Sequence, residues 1–280
     1  MKKILIATDL SPAARNAADW GVRLAKAFDA GVILASAFEQ MPIPVTEAPV
    51  ILNAEDMRVM VQRDVANEAE LIKGDGAVPI EAMACEGSAT PAMLRVVRAR
   101  QADWIVVGMK GSGRELRRAF GSTVTGLGRK AGVPLLIIPE GVRFSPPKAI
   151  AMAVDVYTET GFSIPAPVRE LAEKFHSKLF IIRLFNKGAG EVIEILHQTD
   201  GGNRTIGAFS PLCEMPAGES VTDALSEYID ASPIDLLVMK PHPRMGPERW
   251  FLRSETRQMI FKTHVPMLVL PGEPAKNDVS

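Results

Sequence analysis

Trp104-Ile105-Val106-Val107-Gly108-Met109-Lys110-Gly111, followed after nine residues by Gly121-Ser122, joins an apolar strand to a glycine-punctuated turn and a helix start. Glycine lets backbone approach a ligand closely and take up positive φ. A helix N-terminus offers free N–H groups and a positive dipole end to an anion. Together these make a phosphate cradle. The plainer alternative is a glycine turn that holds nothing, because short glycine patterns are common.

Working outward, apolar runs alternate with amphipathic stretches. Strand 1 is read over about Lys3–Thr8 and ends at Asp9. Ser11-Pro12 then gives an N-cap followed by proline at the first helical position. That helix runs to about Asp29 and carries Trp20, Leu24 and Phe28 on one stripe. Strand 2 is Val32–Phe38. A proline-rich loop, Met41-Pro42-Ile43-Pro44, precedes a helix at about Ala54–Lys73, whose Met57, Met60, Val61 and Val65 are read as core. Strand 3 is Ile80–Cys85, and Thr90-Pro91 opens a helix to about Arg100. Strand 4 is Trp104–Val107, a helix follows at Ser122–Ala131, and strand 5 is Leu135–Ile138. Alternating strands and helices imply a parallel sheet with right-handed crossovers. Unbroken apolar strands fit a sheet covered on both faces.

The pattern occurs twice. Ile4-Leu5-Ile6-Ala7-Thr8-Asp9 has its counterpart in Ile150-Ala151-Met152-Ala153-Val154-Asp155. Leu24–Phe28 corresponds to Leu171–Phe175. Asp103 and Asp235 open matching apolar runs 132 residues apart, and Val133-Pro134 and Val265-Pro266 share that offset. Fixed-order self-similarity is the mark of duplication. The boundary falls in Glu140–Pro147, where paired prolines suit a linker. The fold class is therefore α/β, with two tandem five-stranded parallel-sheet domains and helices on both faces, at 1–143 and 144–280.

Composition excludes several classes. The 280 residues are 47% hydrophobic and 23% charged, which supports a sizeable core. A net charge of −1 gives no electrostatic case for nucleic acid or an anionic membrane. No apolar stretch reaches the roughly 18–20 residues that span a bilayer, and the N-terminal apolar run is too short for a signal peptide because Asp9 interrupts it. Two distant cysteines, Cys85 and Cys213, fit a reducing compartment. A cytoplasmic protein is the expectation.

In such a sheet, ligands bind at the carboxyl ends of strands where strand order reverses. Asp9 and Gly108 face one crevice if strands 1 and 4 are neighbours. Asp9 there accepts hydrogen bonds from a ribose or base, or it only caps a turn.

A strand ending in Asp, Gly-x2-Gly-x9-Gly-Ser late in the half, and a closing Val-Pro-Leu-Leu-Ile-Ile-Pro strand resemble a universal stress protein domain, here in tandem form. The resemblance implies ATP binding, with Mg²⁺. It implies that Asp9 lies near adenine and ribose, that Ala37 meets adenine through its backbone, and that Val107 lines the pocket. It further implies that Gly108 and Gly111 flank the ribose and phosphates, while Gly121, Ser122 and Thr123 hold the phosphates. By the same resemblance, domains dimerise through strand 5. Pro134–Pro139 and Pro266–Pro271 would then pair as an intrachain pseudo-dimer, and two chains would associate further as a homodimer.

The second half departs from the motif. Gly108, Gly111 and Gly121 become Lys240, Pro243 and Arg253, and only Ser122 finds its match, in Ser254. Proline fixes φ and removes a donor. This half is read as having lost nucleotide binding and as serving packing or recognition of a protein partner. Asp155 persists there as a strand-ending carboxylate.

Other motifs fit poorly. Gly108-x4-Gly113 is followed by Arg114-Glu115 and not by Lys-Ser/Thr, so a P-loop is unsupported. There is no GxGxxG, HExxH or GxSxG. His176, His197, His242 and His264 lack metal-ligand spacing. Arg114, Arg117 and Arg118 form either a solvated basic loop or a contact to the triphosphate. Three functions remain open: an ATP-binding stress or regulatory protein, a slow ATPase, and a nucleotide-free scaffold. No residue of the motif is an obvious base for water, so any hydrolysis is slow.

Overall fold

The computed structural model describes residues 1–39, 53–74, 76, 78–109, 116–155, 164–187, 190–198, 209–214, 229–239 and 264–272. Of 116–122, 154–155, 183–187, 190–198 and 209–214 it describes the backbone. The chain forms two compact units, Met1–Phe144 and Ser145–Ser280.

The first unit contains β1 (Lys3–Thr8), α1 (Pro12–Phe28), β2 (Gly31–Phe38), α2 (Ala54–Ile72), β3 (Ile80–Glu86), α3 (Ala89–Arg100), β4 (Trp104–Met109), α4 (Leu116–Lys130) and β5 (Leu135–Pro139). Its strands lie in the order β3-β2-β1-β4-β5, and every neighbouring pair is parallel. Helix α1 contacts α2, and α3 contacts α4, which puts one helix pair on each face of the sheet. That covering explains why Ile4, Leu5, Ile6, Ile105, Val106, Leu135 and Ile137 can all be buried along unbroken apolar strands.

Local chemistry sets the helix ends. The Ser11 hydroxyl accepts from the Ala14 N–H at 3.3 Å, with Pro12 behind it, and Asp29 closes α1 in the left-handed region at φ 51°. Helix α2 departs from its expected packing. Val65 is fully buried, yet Met60 is 41% exposed and Met57 and Val61 are half-buried. Only its C-terminal half, with Val65, Glu68 and Ala69, is buried. Met57, Met60 and Val61 keep a helical period, but none of them is fully buried.

The second unit repeats the plan in part. It holds β6 (Ala149–Asp155), α5 (Ala166–Phe175), β7 (Lys178–Lys187), β8 (Gly190–Gln198), β9 (Phe209–Glu214), β10 (Leu236–Met239) and β11 (Met267–Val269). The duplication reaches single hydrogen bonds. The Lys3 N–H donates to Asp103 Oδ2 at 2.7 Å, and the Lys148 N–H donates to Asp235 Oδ2 at 2.7 Å. Helix α1 ends at Asp29 and α5 at His176, both left-handed, and each cap N–H bonds two carbonyls of its last turn.

The expected five parallel strands do not describe this unit. Its order is β11-β10-β6-β7-β8-β9, and β8 and β9 pair antiparallel. Lys187-Gly188-Ala189-Gly190 separates two β-rich runs, so a hairpin replaces the crossover that follows β2 in the first unit. The segment Phe185–Pro211 had offered no clear pattern, and much of this hairpin lies inside it.

Candidate functional site

In the first unit, β1 lies between β2 and β4, so the crossovers leave it in opposite directions. The strand ends diverge there and open a cleft. Its walls come from three strands and three helices. Ala7, Thr8 and Asp9 end β1, Ala37 ends β2, and Val107 and Gly108 end β4. Helices supply Ala14 from α1, Ala89 and Met93 from α3, and Thr123 and Val124 from α4. The cavity measures about 80 Å³. One water needs roughly 10–15 Å³ on that scale. The space therefore takes one ring-sized group, and the remainder of a larger ligand extends over the strand ends.

Most of the lining is aliphatic, and four alanines create the room. Polar atoms gather at the β1 lip. The Leu10 N–H donates to Thr8 Oγ1 at 2.9 Å, and the Ser11 N–H donates to Asp9 Oδ1 at 3.0 Å. Asp9 thus does cap a turn, as its plainer reading held, but that bond engages one carboxylate oxygen of an exposed residue. Leu10 sits at φ 60°. The left-handed region costs a non-glycine residue roughly 1–2 kcal/mol. Two side-chain bonds hold this turn in a strained form directly above the cleft, and such strain collects at ligand sites.

Gly108 has two roles. It lines the cleft, and it lies within β4 opposite Ile138. A Cβ at position 108 would stand 2.4 Å from the Ala13 carbonyl oxygen and 2.9 Å from the Ala14 nitrogen. The missing side chain lets the first turn of α1 press onto the end of β4. That contact brings Ala14 to the cleft wall.

Five residues singled out in the sequence meet at this cleft: Asp9, Ala37, Val107, Gly108 and Thr123. Gly111 lies outside the described residues. Gly121 and Ser122 are described by backbone only, within α4, which begins at Leu116 and not at Ser122. Leu116-Arg117-Arg118-Ala119-Phe120 contains no breaker and favours helix, so propagation overrides the start that Ser122 had suggested. The remaining lining residues, Ala7, Thr8, Ala14, Ala89, Met93 and Val124, were not singled out in the sequence. The Thr90-Pro91 helix opening was the one signal near Ala89. Arg114, Lys240, His242, Pro243, Arg253, Ser254 and the loop Met41–Pro44 also lie outside the described residues.

Cys85, one place along β3 from the strand end, is buried beside Ala37 in register. Burial pushes its thiol above the usual cysteine range, against the pull of Arg95 and Arg100. It is a packed thiol and not a nucleophile at neutral pH.

Residues 1–139 match the universal stress protein family. Through this first half, the chain belongs to that family. Solved universal stress proteins share the fold over nearly the full length. One from Archaeoglobus fulgidus DSM 4304 covers 96% of each chain at 13% identity with a TM-score of 0.60. A putative one from Pseudomonas aeruginosa UCBPP-PA14 covers 97% of this chain and 93% of its own, at 12% identity and a TM-score of 0.58. A universal stress protein in complex with cAMP matches 50% of this chain and 98% of its own, at 23% identity and a TM-score of 0.41. No curated protein matches the sequence. Among the described residues, no helix is long and apolar enough to cross a membrane.

Proposed function

We propose that this universal stress protein binds ATP in its first unit as a stress or regulatory signal, while its second unit serves packing or partner recognition. The observation that carries the reading is the cleft at the carboxyl ends of β1, β2 and β4, where Asp9, Ala37, Val107, Gly108 and Thr123 converge. Its aliphatic floor suits the faces of a purine. The lip carboxylate of Asp9 suits the donors on a base or ribose edge. The triphosphate would run outward toward Gly111 and toward Gly121, Ser122 and Thr123 on α4. Mg²⁺ would arrive on the phosphates, whose charge it offsets. In the second half, Lys240, Pro243 and Arg253 replace the three glycines, which argues for one nucleotide per chain.

A melting curve with and without Mg-ATP tests this. Ligand at about 100 times its dissociation constant stabilises the folded state by roughly 2.7 kcal/mol. An upward shift that grows with concentration supports the binder. An unchanged melting temperature at millimolar ATP leaves the nucleotide-free scaffold. Incubation with Mg-ATP separates binder from slow ATPase, and the binder leaves the nucleotide largely intact.

A further inference from the structure

Strand β3 is the edge of the first unit's sheet, and an open edge is a template for another strand. Three of its outward backbone groups bond side chains. The Gln62 amide, on α2, donates from Nε2 to the Ala82 carbonyl at 2.9 Å and accepts at Oε1 from the Ala84 N–H at 2.8 Å. One amide thus meets a carbonyl and the N–H two residues on. An added strand would need both of those groups. Further along, the Arg95 guanidinium, on α3, donates to the Glu86 carbonyl. Residues 82, 84 and 86 all turn outward, because backbone groups alternate sides along a strand.

We propose that Gln62, assisted by Arg95, is an edge guard that keeps β3 from pairing with β3 of a second copy of this chain. The surface it closes suits that occupant. Around Met83 the strand reads Ile80-Glu81-Ala82-Met83-Ala84-Cys85-Glu86. Antiparallel self-pairing about Met83 sets Met83 against Met83 at the centre and Ala82 against Ala84 on either side of it. Gln62 is itself exposed, so its two bonds are held at the surface and its removal leaves the core intact. The guard stands apart from the cleft and is independent of nucleotide binding.

The test uses the full chain with Gln62→Ala, Gln62→Glu and the double variant Gln62→Ala/Arg95→Ala. Light scattering over a concentration series reads association, and amide exchange reads Ala84. With Gln62→Ala, exchange at Ala84 rises at least tenfold at concentrations where the chain stays at the wild-type mass; at higher concentration association appears, and Ala84 becomes protected again. The double variant associates at lower concentration. Gln62→Glu keeps an acceptor for the Ala84 N–H and places charge on the edge, so it remains at the wild-type mass. Unchanged mass in both alanine variants overturns the proposal even where Ala84 exchanges faster, because the amide then excludes no partner. Association that leaves Ala84 exchanging fast also overturns it, since β3–β3 pairing would bond that N–H again and the new contact then lies elsewhere.

Discussion

Gly108 and Ala13 fix the geometry of the cleft: a Cβ on residue 108 would stand 2.4 Å from the Ala13 carbonyl oxygen and 2.7 Å from its carbon. Those atoms are backbone, anchored in α1, and cannot swing aside. A second glycine, Gly21, is almost as crowded, with Ile6 Cδ1 at 2.5 Å from its hypothetical Cβ. There the obstacle is the end of a side chain. Overpacking costs about 1–3 kcal/mol and more where the neighbour cannot yield. Gly108→Ala therefore loses more stability than Gly21→Ala, which denaturant midpoints will show. Equal losses would mean that α1 shifts freely on β4.

Gln101 closes α3 at φ 53°, exposed, with its N–H on the Val97 carbonyl. A side chain in the left-handed region costs roughly 1–2 kcal/mol, and glycine's extra freedom in the unfolded chain returns roughly 0.5–1 kcal/mol of that. Gln101→Gly is expected to stabilise the fold by about 0.5–1 kcal/mol in chemical denaturation. A loss of stability would show that the Gln101 side chain makes a contact that outweighs its strain.

Glu81 and Arg100 join the edge strand to α3, with Arg100 Nη2 2.8 Å from Glu81 Oε1 and Nε 3.1 Å from Oε2. The Arg100 hydrogen bond holds the Glu81 carboxyl below the usual range, against a smaller opposing effect of burial. A depressed folded-state pKa means stability that is present above the unfolded value and lost as pH falls through the folded one. The pair is part-exposed, so water and salt weaken it. Glu81→Gln should be less stable than wild type at pH 7, and the two should converge below about pH 4, near the ordinary glutamate value. A gap that persists at pH 3 would assign the effect to packing.

The sequence carried the first unit's fold because each local signal agreed with the sheet. Ser11-Pro12 capped α1, and Leu135–Ile138 read as a strand covered on both faces. Three things were hidden. Met57 and Met60 keep a helical period without being fully buried, since period reports a face and not what covers it. Ser122 resembled a helix start, but nothing in Leu116–Phe120 stops α4 from beginning earlier. Gly108 was legible as a glycine at a strand end, but its contact with Ala13 joins residues 95 positions apart that no local pattern links. In the second unit the antiparallel pairing of β8 with β7 and β9 broke the repeat that β6, β10 and β11 had kept. Within the cleft, Asp9 and Val107 were legible as strand ends. Met93 and Ala14 were not, because a helix residue meets a cleft only through tertiary packing.

The measurement that bears most directly on the central claim is calorimetric titration of Mg-ATP into the nucleotide-free full chain, beside Ala37→Leu and Gly121→Arg. Ala37→Leu fills the cleft from the β2 side, and Gly121→Arg copies the second half's Arg253 into the first. The account predicts saturation at one site per chain, abolished in Ala37→Leu and weakened at least tenfold in Gly121→Arg, with all three proteins folded by circular dichroism. Binding that survives in Ala37→Leu, a second site per chain, or no heat of binding in the wild type would contradict it.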